Sequence, residues 1–283
     1  MRILVTGAGG QLGRDTVLAC EAAGDDVFGF DHGSLDVTSR DAVLGAVTSV
    51  RPDAVIHCAA WTAVDACESD PDRAFAANAL AVRWMAEACD RSGAHLVTIS
   101  TDYVFDGTKI GPYVEWDTTN PTSVYGVSKL AGEREASALG AGAAVVRTSW
   151  VCGEYGNNMV KTIMRLAGER DSLAFVDDQI GHPSLCADVA LMLRRLAVDR
   201  RSGIIHVTNQ GAVSWFEFAQ AVVAAMGKSP AMVSPIATAD LQPPRPATRP
   251  ANSVLDNAVL RLGGLDLLPD FRDSLQTLVG RLS

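Results

Sequence analysis

The stretch RILVTGAGGQLG, residues 2–13, decides the fold class of this chain. A short β-branched run ends in a loop with the spacing G-x-x-G-x-x-G, formed by Gly7, Gly10 and Gly13, and a helical pattern follows. Glycine permits a tight turn and a close approach of the backbone to a pyrophosphate, and the next helix offers free N–H groups at its N-terminus. The stretch predicts a dinucleotide-binding strand, loop and helix; the alternative is a glycine-rich structural turn.

The pattern of strands and helices continues outward from this stretch. Further strands are predicted at 26–30, 54–59, 95–100 and 143–149, and helices at 40–50, from Pro71 to Gly93 and around Tyr125. Strands separated by helices of this length indicate an α/β fold with a doubly wound parallel sheet of Rossmann type.

The second half of the chain has a different pattern. Helical runs near 157–168, 185–198, 214–226 and 271–282 alternate with short strands, and a proline-rich loop covers 241–253. We therefore expect a dinucleotide-binding domain over 1–148, with a returning part around 170–200. Residues 149–283 are expected to form mainly a smaller, intertwined substrate-binding domain.

Composition excludes some classes of function. The 283 residues carry a formal charge of −9 with a pI near 5.0, which argues against nucleic acid as the main partner. No apolar run approaches the length that spans a membrane. The six cysteines show neither a CxxC pair nor metal-ligand spacing, so we expect no metal site, and a reducing cytoplasm is the expected location.

Acidic and small residues follow the second and third strands. Asp31 closes the second strand, where a carboxylate can accept hydrogen bonds from the adenosine ribose and repel a 2′-phosphate. Asp36 and Val37 are candidates for the adenine pocket, and Ala59, Ala60 and Thr62 are small enough to let a cofactor pass. Asp31 therefore slightly favours NADH over NADPH. The alternative for Asp31 is an ordinary turn aspartate, and the alternative for the three small residues is plain packing.

The motif VYGVSK, residues 124–129, places Tyr125 and Lys129 one helical turn apart. The pair is either an acid with its electrostatic helper or an ordinary polar edge of a surface helix. Thr101 supports the first reading, because it leaves the fourth strand at the carboxyl end, where open α/β sheets bind their ligands.

Several segments, in order, carry a resemblance to a known family. TGAGGQLG, STDYVFDG, YGVSKLAGE and RTSWV resemble the extended short-chain dehydrogenase/reductases. NNMVKTIMRLA, DDQIGHPS and RPANS are similar to the members that reduce dTDP-linked 4-keto sugars. The resemblance implies a cytoplasmic enzyme that uses NADH or NADPH, acts on a dTDP-sugar and exists as a monomer or homodimer.

The resemblance also implies roles for individual residues. Tyr125 is expected to protonate the C4 carbonyl oxygen, Lys129 to bind the nicotinamide ribose and lower the tyrosine pKa, and Thr101 to polarise the same oxygen. Cofactor contacts are expected from Gly7, Gly10, Gln11, Leu12, Gly13, Ala60, Trp61 and Thr62, and substrate contacts from Thr101, Asp102, Tyr103, Trp150, Arg249 and Asn252.

The residues themselves offer further hypotheses about the substrate side. Arg245 and Arg249 stand in the proline-rich loop, where guanidinium groups could clamp a diphosphate or form a basic surface loop. Asn78 is interpreted as a buried structural amide. The chain departs from the family pattern at His182, at Cys152 and at Trp61, so the exact sugar stays open.

Three alternative functions remain at this stage. The first is a C4-ketoreductase of another dTDP-deoxysugar. The second is a non-catalytic binding module resembling the regulatory subunit of methionine adenosyltransferase. The third is a nucleotide-sugar epimerase or dehydratase, although Asp102 is followed by Tyr103 and not by the glutamate typical of dehydratases.

Overall fold

A computed structural model describes the backbone of residues 1–283 and the side chains of residues 1–140 and 142–283. The strands are β1 (Arg2–Thr6), β2 (Asp26–Phe30), β3 (Ala54–His57), β4 (His95–Thr101), β5 (Ala143–Thr148), β6 (Val151–Cys152), β7 (Leu173–Val176), β8 (Ile180–Gly181), β9 (Ser184–Leu185), β10 (Gly203–His206), β11 (Val213–Ser214) and β12 (Val233–Ile236). The helices are α1 (Gln11–Ala22), α2 (Arg40–Val50), α3 (Val64–Ser69), α4 (Pro71–Phe75), α5 (Ala81–Ser92), α6 (Val124–Ser137), α7 (Met159–Glu169), α8 (Cys186–Val198), α9 (Trp215–Ala225), α10 (Ala258–Leu262) and α11 (Phe271–Leu282).

A six-stranded parallel sheet with the order β10-β5-β4-β3-β1-β2 forms the centre of the molecule. The chain first adds β2 on one side of β1 and then β3, β4 and β5 on the other. The strand order therefore reverses beside β1, and ligands bind at the carboxyl edge of a sheet at such a point. The predicted fold class is confirmed.

Both faces of the sheet are covered, because alternate residues of its strands face opposite helices. Ile3 and Val5 pack in one core with α1 and α8, while Leu4 packs in a second core with α2 and α5. β10 and α8 follow residues 149–185 in the chain, yet β10 extends the sheet and α8 packs on it.

A separate core joins α7, α9 and α11, with Phe218 and Phe271 fully buried at its centre. This core includes residues of the second half only. The expected division near residues 148 and 149 stays a prediction, which the separate core of the second half supports.

The helix expected between Pro71 and Gly93 is interrupted. Asp70 accepts a hydrogen bond from the Arg73 backbone N–H at 3.1 Å, as expected for a helix start, but residues Ala76–Leu80 form a π-helical turn between α4 and α5. The third strand also ends earlier than expected, at His57, so residues 58–62 form a loop.

Close contact between α6 and the π-helical turn yields a stability prediction. A Cβ added at Gly132 would lie 2.2 Å from the backbone carbonyl oxygen of Asn78. Gly132→Ala should therefore push the two helices apart and lower the free energy of unfolding by about 1–3 kcal/mol, measured by urea denaturation. Gly168→Ala in α7 is the matched control, because nothing lies within 4 Å of its added Cβ, and it should raise stability by about 0.5–1 kcal/mol. Equal effects of the two substitutions would contradict the importance of this contact.

Candidate active site

The glycine loop after β1 is packed too tightly for any other residue at two positions. Gly7 has a φ of +68°, and a Cβ there would lie 2.8 Å from the backbone nitrogen of Ala59. A Cβ at Gly13 would lie 2.0 Å from the carbonyl oxygen of Gly7. Gly10 caps α1 without a side-chain hydrogen bond, so no side-chain cap occupies the N–H groups of the first turn, which is the kind of site that binds an anion.

Two adjoining cavities open at this edge of the sheet, with volumes of about 760 Å³ and 400 Å³. Gly7, Gly10 and Ala60 line both cavities, so they form one continuous cleft. Of the other predicted residues, Asp31, Asp36, Val37, Ala59 and Trp61 line the larger cavity, and Gln11, Leu12, Gly13, Thr62, Thr101, Asp102, Tyr103, Tyr125, Lys129 and Trp150 line the smaller one. The cleft is long, glycine-floored and flanked by a helix N-terminus, which fits a dinucleotide.

The smaller cavity brings Thr101, Tyr125 and Lys129 together. Ser123 caps α6 by accepting a hydrogen bond from the Gly126 N–H at 3.2 Å. A Cβ at Gly126 would lie 2.3 Å from the carbonyl oxygen of Tyr103, so the helix approaches the end of β4 as closely as two backbones allow. This contact places the catalytic candidates of α6 beside the strand-end threonine.

Burial controls the ionisation of the tyrosine and the lysine. Burial raises the pKa of the Tyr125 phenol well above its usual value, and a hydrogen bond with Thr101 opposes the rise only in part. Burial lowers the pKa of Lys129 to about 8, although the Glu133 carboxylate opposes this. The Lys129 Nζ donates a hydrogen bond to the Ile99 carbonyl at 2.6 Å. The expected lowering of the tyrosine pKa by Lys129 is not found, because desolvation of the phenol outweighs other effects. The Tyr125 phenol is thus kept in its protonated form.

Asp102 is another ionisable group that lines this cavity. Its Oδ1 accepts a hydrogen bond from the Thr101 hydroxyl at 2.9 Å, and the residue is 2% exposed. Burial raises the pKa of the Asp102 carboxyl to about 6, which is unusual for an aspartate.

Two tryptophans form the wall that the second half of the chain contributes. Trp150 and Trp215 both line the smaller cavity, and their rings are stacked at 3.6 Å with an angle of 9°. Trp150 has a φ of +46°, which is uncommon for a large residue. This backbone conformation sets the direction in which its ring leaves the end of the strand. Trp215 was not identified from the sequence; it follows the helix cap Ser214, and no sequence pattern relates it to the cleft.

Two predicted substrate residues lie outside the lining of both cavities. Arg249 forms a two-pronged ion pair with Asp65, with 2.7 Å for each contact. The Asn252 side-chain amide donates hydrogen bonds to the carbonyls of Lys109 and Gly111, both at 2.8 Å. Their proposed contacts with substrate stay predictions.

Asn78, in the π-helical turn, is a fully buried amide, as interpreted from the sequence. Its side chain accepts a hydrogen bond from the Trp61 N–H at 2.8 Å and donates to the Trp61 carbonyl and the Ser128 hydroxyl, both at 3.0 Å. It therefore links the loop after β3 to helix α6, which carries Tyr125 and Lys129. Sequence reasoning identified its burial but not this link.

A buried ion pair lies behind Lys129. Glu133 accepts hydrogen bonds from Arg147 at 2.8 Å and 2.7 Å, and from the Ser100 hydroxyl at 2.5 Å. Arg147 and Glu133 are almost fully buried. The YxxxKxxxE spacing, one more helical turn, was the available signal for Glu133.

Other features concern cofactors and membranes. Among the described side chains, all six cysteines are free thiols, and no group of three or more His, Cys, Asp or Glu side chains is arranged to hold a metal ion. None of the helices described above combines the length and apolar character that crossing a membrane requires.

Fold and site together place the chain in the class of extended short-chain dehydrogenase/reductases. Within that class, the chain belongs to the RmlD substrate binding domain family, whose model matches residues 1–283. The family resemblance found in the sequence is confirmed.

Relatives in this family are similar over nearly their whole length. The dTDP-4-dehydrorhamnose reductase of Aggregatibacter actinomycetemcomitans is 42% identical over 267 residues, which are 90% of each chain. A probable dTDP-4,6-dihydroxy-2-methyloxan-3-one 4-ketoreductase of Streptomyces antibioticus is 40% identical over 98% of this chain and 94% of that one. The crystal structure of the dTDP-4-dehydrorhamnose reductase of Bacillus anthracis in complex with NADP has a TM-score of 0.94 at 39% identity and covers 99% of both chains.

The raised pKa of Asp102 yields a prediction about stability and pH. Because the folded-state pKa lies above the unfolded value, the folded protein binds this proton more tightly, and the stability falls as pH rises from about 4 to about 6. Asp102→Asn removes the buried charge and should raise the melting temperature at about pH 7 but not at about pH 4.

Asp106→Asn is the control with the opposite sign. Hydrogen bonds from Asn120 and Thr108 lower the pKa of Asp106, so this substitution should reduce stability near neutral pH and lose its effect in acid. A melting temperature of Asp102→Asn that is lower than that of the parent protein at neutral pH would contradict the effect of burial.

Proposed function

We propose that this protein is a dTDP-4-dehydrorhamnose reductase, which reduces the C4 ketone of dTDP-4-dehydro-L-rhamnose with NADH or NADPH to give dTDP-L-rhamnose. The observation that carries the proposal is the placement of Tyr125, Lys129 and Thr101 in one cavity that continues into a dinucleotide-shaped cleft. The substrate is proposed from the named relatives, which match this chain over nearly its whole length.

The residues of the cleft divide the work of holding a coenzyme. The first turn of α1, with Gly10 at its cap, would hold the pyrophosphate, and Asp31 would bind the adenosine ribose. Lys129 would hold the nicotinamide ribose. When bound, NADH or NADPH supplies a hydride to the ketone carbon.

The chain supplies the proton. Tyr125 carries its proton at physiological pH, as a phenol with the usual pKa near 10 already does, and it lines the cavity with Thr101, so its phenol can donate a proton to the C4 oxygen. The Thr101 hydroxyl donates to Asp102 Oδ1 in this structure, and rotation of the hydroxyl redirects its hydrogen to the same C4 oxygen.

One observation favours a second candidate function, reduction of a different dTDP-deoxysugar ketone. The 4-ketoreductase of Streptomyces antibioticus is nearly as similar to this chain as the rhamnose enzymes are. The two functions share Tyr125 and Lys129 and differ in the sugar. Comparing kcat/KM across a panel of dTDP-4-keto sugars separates them. A regulatory binding module has no need of an intact Thr101, Tyr125 and Lys129 set.

The cellular setting is proposed on similar grounds. Six free thiols suit a reducing cytoplasm, and a monomer or homodimer is the proposed assembly.

The reaction is tested by following the oxidation of NADPH with dTDP-4-dehydro-L-rhamnose. Tyr125→Phe removes the proton donor and should lower kcat by roughly 10²–10⁴-fold. Tyr155→Phe, outside the cleft, is the matched control and should keep the parental rate. A Tyr125→Phe variant with full activity, or a parent protein that turns over no dTDP-4-keto sugar, would refute the proposal.

Coenzyme preference is tested at Asp31. Its Oδ1 accepts hydrogen bonds from the N–H groups of Gly33 at 3.1 Å and Ser34 at 2.9 Å, an arrangement that asparagine can keep. Asp31→Asn removes only the charge that would repel a 2′-phosphate. It should shift the kcat/KM ratio of NADPH to NADH upward by roughly tenfold, whereas Asp41→Asn, outside the cavity, should leave it unchanged. An unchanged ratio in Asp31→Asn would show that this carboxylate does not select the coenzyme.

A further inference from the structure

The proline-rich loop is attached to the cofactor side of the cleft by one carboxylate, that of Asp65 in the first turn of α3. Asp65 binds the guanidinium of Arg249 through both oxygens at 2.7 Å and accepts a hydrogen bond from the Ala247 N–H at 3.1 Å. Arg245, in the same loop, is only loosely placed, with Nη1 at 3.8 Å from Asp65 Oδ2. Asp65 therefore holds residues 247–249 through three short contacts.

The donors of Arg249 are largely occupied by the protein. Nη1 donates to Asp65 Oδ1 and to the Ala247 carbonyl at 2.8 Å, and Nη2 donates to Asp65 Oδ2. A guanidinium has five N–H donors, so three of them are already in use. The side chain is only 13% exposed. These facts argue against a diphosphate clamp, which needs an open guanidinium fork.

The ion pair lies directly behind the catalytic tyrosine. Val64, next to Asp65, lines the smaller cavity and packs in one cluster with Tyr125 and Tyr103. The Tyr103 ring meets the Tyr125 ring edge-on at 5.6 Å, with an angle of 77°. Arg249 is close enough to Tyr103 to act electrostatically on its phenol. A continuous chain of contacts thus runs from Asp65 through Arg249 and Tyr103 to Tyr125.

The other end of the loop is attached to different elements. Ala251 and Ser253 exchange backbone hydrogen bonds with Ile180 at 2.8 Å, and Asn252 holds the 109–111 segment. Asp65 thus attaches the loop to α3, while these contacts join it to the substrate half and to the segment after β4.

We propose that Asp65 is a positioning residue for the reaction, and that Arg249 is its partner and not a ligand of the substrate diphosphate. Their ion pair holds residues 247–249 and the Tyr103 ring against α3, and so sets the width of the cavity in which the sugar meets Tyr125. This inference rests on the proposed function of the cleft.

A double-mutant cycle tests the proposal. Asp65→Asn and Arg249→Lys each break the two-pronged pair, and each should lower kcat/KM for the dTDP-sugar by roughly tenfold. The double variant should be no worse than the poorer single variant, because both substitutions remove the same interaction. The dissociation constants of NADPH and of dTDP alone, measured by calorimetry, should stay at the parental values in all variants.

Arg245→Gln is the matched control, since it removes a guanidinium from the same loop without breaking a short contact. It should keep the parental kcat/KM. Unchanged NADPH binding shows that each variant is folded, so a loss of kcat/KM is not a loss of structure.

Two results would overturn the proposal. One is a cycle in which the single effects multiply in the double variant, because the residues would then act independently. The other is weaker dTDP binding in Arg249→Lys but not in Asp65→Asn, because Arg249 would then contact the diphosphate itself. Failure of the proposed function gives a different result, a parent protein that binds dTDP and NADPH but reduces no dTDP-4-keto sugar.

Discussion

The structure of the cleft depends on the close contact between helix α6 and two other backbone segments. At Gly126 the helix touches the carbonyl of Tyr103, and at Gly132 it touches the carbonyl of Asn78; a Cβ at either glycine would lie within 2.3 Å of an oxygen. Tyr125 directly precedes Gly126 in this helix, and Lys129 lies between the two glycines. Because protein interiors are close-packed and hardly compressible, the two contacts fix the height and the rotation of α6. The distance from the phenol to the strand-end threonine is a consequence of that packing.

The same close packing explains the protonation states. A helix this near the sheet leaves little water around its inner face, so the phenol of Tyr125 is kept neutral and the pKa of Lys129 falls to about 8. Glu133, one turn further along, opposes the fall, and Arg147 holds its carboxylate from behind. The positive charge of Lys129 is therefore favoured by the buried ion pair of Glu133 and Arg147, although neither residue lines the cleft. Removing Glu133 or Arg147 leaves an unpaired buried charge. The effect of the ion pair on the charge of Lys129 therefore cannot be separated from its effect on the stability of the fold.

The sequence was sufficient to predict the fold class and most of the cleft, because these follow from local patterns. Glycine spacing, the alternation of strands and helices, and the Tyr-x-x-x-Lys pair each reflect the geometry of a single element. No local pattern predicts the π-helical turn at 76–80, whose Asn78 side chain makes hydrogen bonds to Trp61 and Ser128, 17 and 50 residues away in the sequence. The sequence predicts Arg249 as a substrate-binding residue, and its ion pair cannot be foreseen for a similar reason. Its partner Asp65 is 184 residues away, and no local pattern shows that they meet.

The two halves of the chain contribute different properties to the cleft. Tyr125, which is the proposed proton donor, Thr101 and the glycine loop all come from the first half, so the proposed chemistry depends on parts that are held by the sheet. The opposite wall is made by the stacked pair of Trp150 and Trp215 and depends on the core formed by α7, α9 and α11. Gly181 faces this pair so closely that a Cβ there would lie 2.8 Å from the Trp150 ring, which ties the ring to the β8 segment, one residue before His182. Changes in the second half can therefore move the aromatic wall and alter which sugar fits without disturbing the acid. This separation is a physical reason why relatives of similar identity can reduce the ketones of different dTDP-sugars.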